Sequence, residues 1–98
     1  MPLRIDPEQN EVQALKHIAY WRGKRVLEIG CGDGRLTLRL ARLGSHVHAL
    51  DPAAQLIRSA RRHLPGRLAK WVRYHVGKAE QLNFPNESFD LIVFAWVL

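Results

Sequence analysis

Four short apolar runs, separated by a stretch of helical spacing or by turns, set the rhythm of this chain. Residues 26–29 (Val-Leu-Glu-Ile), 46–50, 71–76 and 91–95 have the length of strands. The first, broken only by Glu28, reads as a strand buried on both faces. Between the first two runs, leucines at 36, 40 and 43 lie opposite arginines at 35, 39 and 42, a helical period that Gly44 is placed to end. Strands alternating with helices predict an α/β fold with a parallel, doubly wound sheet, in which the fourth strand lies beside the first. The chain ends at Leu98 inside an apolar stretch. The expected sheet is therefore truncated after its fourth strand, which is left as a bare hydrophobic edge. Upstream, Asp6, Pro7 and Gln9 form a helix-start pattern, and Val12, Leu15, Ile18 and Ala19 share one face, predicting a helix from about Pro7 to Trp21. This divides the chain into an N-terminal helix, 1–22, and a partial domain, 23–98; residues 63–66 form a turn after the second helix of that domain.

The first strand runs into Gly30-Cys31-Gly32-Asp33-Gly34. Glycine at alternate positions lets the backbone turn sharply and lets a ligand lie against it. A dinucleotide fingerprint would place its third glycine at 35, where this chain has Arg35. Glu28, just ahead of the turn, would repel a pyrophosphate. It suits instead a ligand with a cationic end, and Asp51, closing the second strand, offers a second carboxylate for a ribose. S-adenosylmethionine has an amino group, a ribose and no phosphate.

The segment from Glu28 to Gly34 resembles motif I of the class I S-adenosylmethionine-dependent methyltransferases, and further likenesses follow in order. Asp51 falls where that family places its ribose-binding acid. The stretch 77–85 is similar to the loop that holds adenine, and 88–98 to the fourth strand and its exit. The resemblance covers 25–98 and implies a Rossmann-like fold, S-adenosylmethionine as cofactor and methyl transfer to an acceptor, a small molecule by expectation. It implies that Glu28 anchors the methionine end, that Gly30, Cys31 and Gly32 let the backbone approach, that Asp51 and Pro52 border the ribose, and that Ala79 and Glu80 border the adenine. Lys78 departs from relatives that carry an acid there, and Ala53 from relatives that carry a helix-capping serine. Asp51 is accordingly expected to cap the next helix, with Pro52 in its first turn. Family substrate contacts mostly lie after the fourth and fifth strands, so no general base is nominated here.

Composition changes this picture little. Apolar residues make up 47% and charged residues 24% of 98 residues, ordinary for a globular domain. One cysteine excludes an internal disulfide and argues against a metal cluster. The N-terminus lacks a signal-peptide core, and the terminal apolar run is too short to span a bilayer, so a cytoplasmic protein away from membranes is expected. The net charge of +6 raises a nucleic-acid alternative, an RNA methyltransferase or a basic binding module. Arg58, Arg61, Arg62, His63, Arg67, Lys70 and Arg73 crowd together with Trp71 and Tyr74 among them. A nicotinamide-dependent oxidoreductase is the lesser alternative. Cys31 is read as a packing residue rather than a nucleophile, since no histidine is placed to activate it. His46 and His48 share one strand face, but no third ligand makes them a metal site. Asp90 is read as structural, and Trp96 as either core or pocket lining.

Overall fold

A computed structural model of the chain describes residues 2–4, 18–81, 84 and 88–95. Its elements are β1 (Pro2–Arg4), α1 (Ile18–Trp21), β2 (Arg25–Ile29), α2 (Arg35–Arg42), β3 (His46–Asp51), α3 (Ala54–Arg62), β4 (Val72–Val76) and β5 (Leu91–Phe94), with 3-10 turns at Gly66–Trp71 and Ala79–Gln81. All strand pairs are parallel, in the order β1-β5-β2-β3-β4. The doubly wound expectation holds: β5 lies against β2, with Val26 beside Leu91 and Ile29 beside Phe94. The four expected strands shift only at their ends. Trp71 closes a 3-10 turn instead of opening β4, Asp51 extends β3, and Ala95 follows β5.

Two expectations change. Residues 2–4, in the N-terminal segment ahead of the helix expected from Pro7, form a strand, β1, which runs beside β5 with Leu3 opposite Val93. The expected bare edge on β5 is thus covered. A three-residue strand is too short to show an alternating pattern, and only its long-range partner defines it. Of the predicted helix from Pro7 to Trp21, residues 18–21 are helical; the remainder lies outside the described residues, as does Trp96.

The core forms where one sheet face meets the helices. Val26, Val47, Ala49, Val72, Tyr74, Leu91 and Val93 point from the strands toward Leu36, Leu40 and Ala41 of α2, Ile57 and Ala60 of α3, and Trp21. The α2 stripe matches its sequence period: Leu36 and Leu40 are buried while Arg35, Arg39 and Arg42 are exposed. The helix ends in a glycine motif. Gly44, at φ 93°, donates to the Ala41 carbonyl and Ser45 to that of Leu40, so the last carbonyls find partners. Arg25 donates from backbone and side chain to Asp90, and the Asp90 N–H returns a bond to the Arg25 carbonyl, which locks the start of β5 to the start of β2.

Candidate functional site

The chain leaves β2, winds outward through β3 and β4, and returns to the other side of β2 as β5. At such a reversal the loops after neighbouring strands diverge and open a crevice at the strands' C-terminal ends. That crevice is present here. A cleft of about 400 Å³ is lined by Glu28, Gly30, Cys31, Gly32, Asp33, Arg35, Leu36, Asp51, Leu56 and Ala95. Sharing Gly30 with it, a second recess of about 620 Å³ is lined by Ile29, Pro52, Gly77, Lys78, Ala79, Glu80 and Phe94. Both volumes lie in the range of small-molecule sites. Every residue that the sequence singled out for cofactor contact lines one recess or the other.

The glycine turn is built on β3. The N–H groups of Gly30 and Cys31 both donate to the Leu50 carbonyl at 2.9 Å, and Gly34 donates back to the Cys31 carbonyl. Gly32 adopts φ 60°, and a Cβ placed on it would meet no protein atom within 4 Å. This cradle stays open because no side chain fills it. Gly34 is needed for a different reason: at φ 92°, a Cβ would overlap the Tyr74 hydroxyl.

The two carboxylates are held differently. Asp51, half-buried, accepts from the Gly32 N–H on one oxygen and from the Ala53 N–H on the other, each at 2.9 Å. This corrects the expected helix cap. α3 begins at Ala54 with Ala53 as its N-cap residue, so Asp51 closes a short turn ahead of the helix, and Pro52 precedes it. A carboxylate offers about four lone-pair directions, so these two bonds leave Asp51 able to accept from a ligand. Glu28 is wholly buried at the cleft floor, where the Thr37 hydroxyl donates to its Oε1 at 2.5 Å. Thr37 is not among the residues that the motifs mark, although a hydroxyl beside Leu36 on the apolar stripe of α2 is its signal in the sequence.

Electrostatics follow from this packing. Burial pushes the Cys31 thiol far above its ordinary range, and the Glu28 and Asp51 charges push it further, which fits a packing residue and not a nucleophile. Burial likewise raises the Tyr74 phenol to about 12, partly offset by the adjacent Thr37 hydroxyl. Three carboxylates (Glu28, Asp33, Asp51) and one guanidinium (Arg35) line the main cleft, within a chain of net charge +6. The cleft is therefore acidic against the sign of the whole.

The remaining candidates lie elsewhere. Asp90 sits at the opposite end of the sheet, where Arg25 holds its carboxyl down to about 2. His46 packs on Trp71, and His48 pairs with His75 on the neighbouring strand (Nδ1 to Nε2, 2.8 Å) rather than with His46. Burial lowers the pKa of both His48 and His75, and Phe84 packs edge-on against them. Among the described residues, no group of three or more histidine, cysteine, aspartate or glutamate side chains is placed to hold a metal, and no helix is long and apolar enough to cross a membrane. Within the basic patch, Arg61 donates to the Tyr74 carbonyl and Arg73 to that of Val72, so both serve the backbone of the outer strand β4.

The model of a family described as a methyltransferase domain matches residues 26–98. Among similar proteins, the mitochondrial ubiquinone biosynthesis O-methyltransferase of Rattus norvegicus is 39% identical over 78% of this chain and 23% of its own length. The magnesium-protoporphyrin O-methyltransferase of Rhodobacter capsulatus is 47% identical over 56% of this chain and 25% of its own. An S-adenosylmethionine-dependent methyltransferase structure from Mesorhizobium loti superposes with a TM-score of 0.68 at 28% identity, covering 84% of this chain and 38% of that one. The chain thus spans about a quarter of the length of the curated relatives it matches.

Proposed function

The chain belongs to the methyltransferase domain family, and we propose that it supplies the cofactor-binding part of an S-adenosylmethionine-dependent methyltransferase whose acceptor is a small molecule. One observation carries this reading. The cleft at the sheet's reversal point pairs an open glycine cradle with three carboxylates, and so favours a ligand that is cationic at one end and hydroxylated in the middle. A nicotinamide dinucleotide would bring a pyrophosphate against the same charges. In this reading residues 23–98 carry the cofactor cleft, and β1 and Trp21 from the segment 1–22 complete the same sheet and core.

The division of labour follows from the geometry. Glu28, at the floor, faces the ammonium of the methionine end, and the bare backbone at Gly30 and Gly32 admits the ligand without a side-chain clash. Asp51, whose carboxylate is pre-set by two backbone N–H groups, accepts from the ribose hydroxyls beside Pro52. Ala79 and Glu80 border the adenine in the adjoining recess. The bound cofactor would supply a methyl group already activated by its sulfonium. The protein's part is to hold that group in line with the acceptor and to exclude water, which is catalysis by orientation. The small-molecule acceptor rests on the likeness to relatives whose names specify ubiquinone biosynthesis and magnesium-protoporphyrin.

Calorimetric titration tests the reading. S-adenosylmethionine is expected to bind and NADH not to bind. Asp51→Ala is expected to weaken the former by roughly tenfold or more, the usual consequence of removing charged hydrogen-bond partners. Tighter binding of NADH, or affinity for S-adenosylmethionine indifferent to Asp51→Ala, would overturn it.

A further inference from the structure

Thr37 is fully buried on the core side of α2, among the apolar side chains Leu36, Leu40 and Ala41, and a valine of the same shape would suit that stripe. Its hydroxyl is a polar group where packing asks for none, and such groups persist when they have a partner. The partner is the Glu28 carboxylate, 2.5 Å away and also fully buried. A charged acceptor makes this among the stronger kinds of side-chain hydrogen bond. The two residues come from different elements: Glu28 from β2, one residue before the end of the strand, and Thr37 from the first turn of the helix that follows the glycine turn. The bond therefore spans the glycine turn and joins its two flanks. Tyr74 walls the same space from β4, its hydroxyl lying against Gly34 and next to Thr37.

We propose that Thr37 is a positioning residue for the amino-acid end of the cofactor, fixing the Glu28 carboxylate at the cleft floor so that the cleft distinguishes a ligand bearing an ammonium group from one that lacks it. The inference rests on the cofactor reading above. A buried carboxylate with several rotamers would meet an ammonium only part of the time, whereas a tethered one is held in place before the ligand arrives, and the ordering cost is removed from binding. The hydroxyl donates to the carboxylate and transfers no proton, so the residue acts through Glu28 and not on the reacting atoms.

The test uses two thioethers, both uncharged at sulfur, that share the adenosine part and differ in whether they carry the amino-acid end, S-adenosylhomocysteine and 5′-methylthioadenosine, titrated calorimetrically into the chain and into Thr37→Val and Thr37→Ser. Thr37→Val is expected to reduce affinity for S-adenosylhomocysteine by roughly tenfold and to leave that for methylthioadenosine unchanged, the loss of one hydrogen bond to a charged group. Thr37→Ser, which keeps the hydroxyl, is expected to restore the difference. Should Thr37→Val fail to fold, Thr37→Ala must show the same selective loss. Equal losses for both ligands, or none, while the parent chain still binds S-adenosylhomocysteine, would overturn the role of Thr37 and leave the cofactor reading standing. Failure of the parent chain to bind either ligand would overturn both.

Discussion

The two ends of the parallel sheet treat acidic side chains in opposite ways. At the N-terminal end of β2 and β5, Asp90 is exposed and meets Arg25 through both carboxylate oxygens, backbone N–H groups tie the strands together, and the end closes on itself. At the C-terminal end, Glu28 is buried against a hydroxyl and Asp51 is held by backbone N–H groups, while the cleft between them stays open. An exposed ion pair gains little, because water screens it and its side chains must be ordered. It serves to close an edge. Acids arranged around a glycine cradle, in a chain rich in arginine, are poised for a cation from outside.

The largest effect is expected from filling the cradle. Gly32→Val places a β-branched side chain at φ 60°, in space otherwise open to the ligand, and should abolish S-adenosylmethionine binding in calorimetry while the far-ultraviolet circular dichroism spectrum persists. Gly34→Ala sharpens the contrast between two glycines of one turn. Its Cβ overlaps Tyr74 and its backbone is strained, so denaturant unfolding should show a loss of about 3 kcal/mol.

A smaller effect concerns acid. Burial lowers the folded pKa of His48 and His75 below the ordinary imidazole value of 6.5. The unfolded chain then binds more protons, so this contribution is complete above 6.5 and is lost as pH falls through it toward the lower folded values. Stability should accordingly drop as pH falls through 6.5, and the double substitution His48→Gln, His75→Gln should flatten the slope. Asp90 does not contribute to that slope: its pKa falls from 3.8 to about 2, so its share is lost only in stronger acid. The smallest effect is expected from Asp90→Asn, which should leave cofactor affinity unchanged in the same calorimetric assay and lower the melting temperature slightly.

What the sequence made legible was local. The glycine turn, the leucine stripe of α2 and strands β2, β3 and β5 each declare themselves within a window of a few residues, because period and turn chemistry are short-range signals. The order of β5 beside β2 was legible through the alternation of strands with helices. The rest depends on distant partners. Three residues of β1 become a strand only beside β5, and His48 finds His75 because β3 and β4 adjoin in parallel register. Asp51 looked like a helix cap because Ala53 lacks a capping hydroxyl and Pro52 suits a first turn, yet its second oxygen is drawn to Gly32, a contact across the turn that spacing along the chain does not reveal. Thr37 was hidden for a related reason: its pattern is that of a helix face, and only the strand beneath supplies its acceptor.

The most direct test follows the backbone amide signals of the chain during titration with S-adenosylmethionine. Under the cofactor reading, Gly30, Gly32 and Ala79, which line the two recesses, shift together and saturate, while Arg25 and Asp90 at the closed end stay still. A folded spectrum in which the glycine signals do not move, or in which the shifts gather at Arg25 and Asp90, would contradict it.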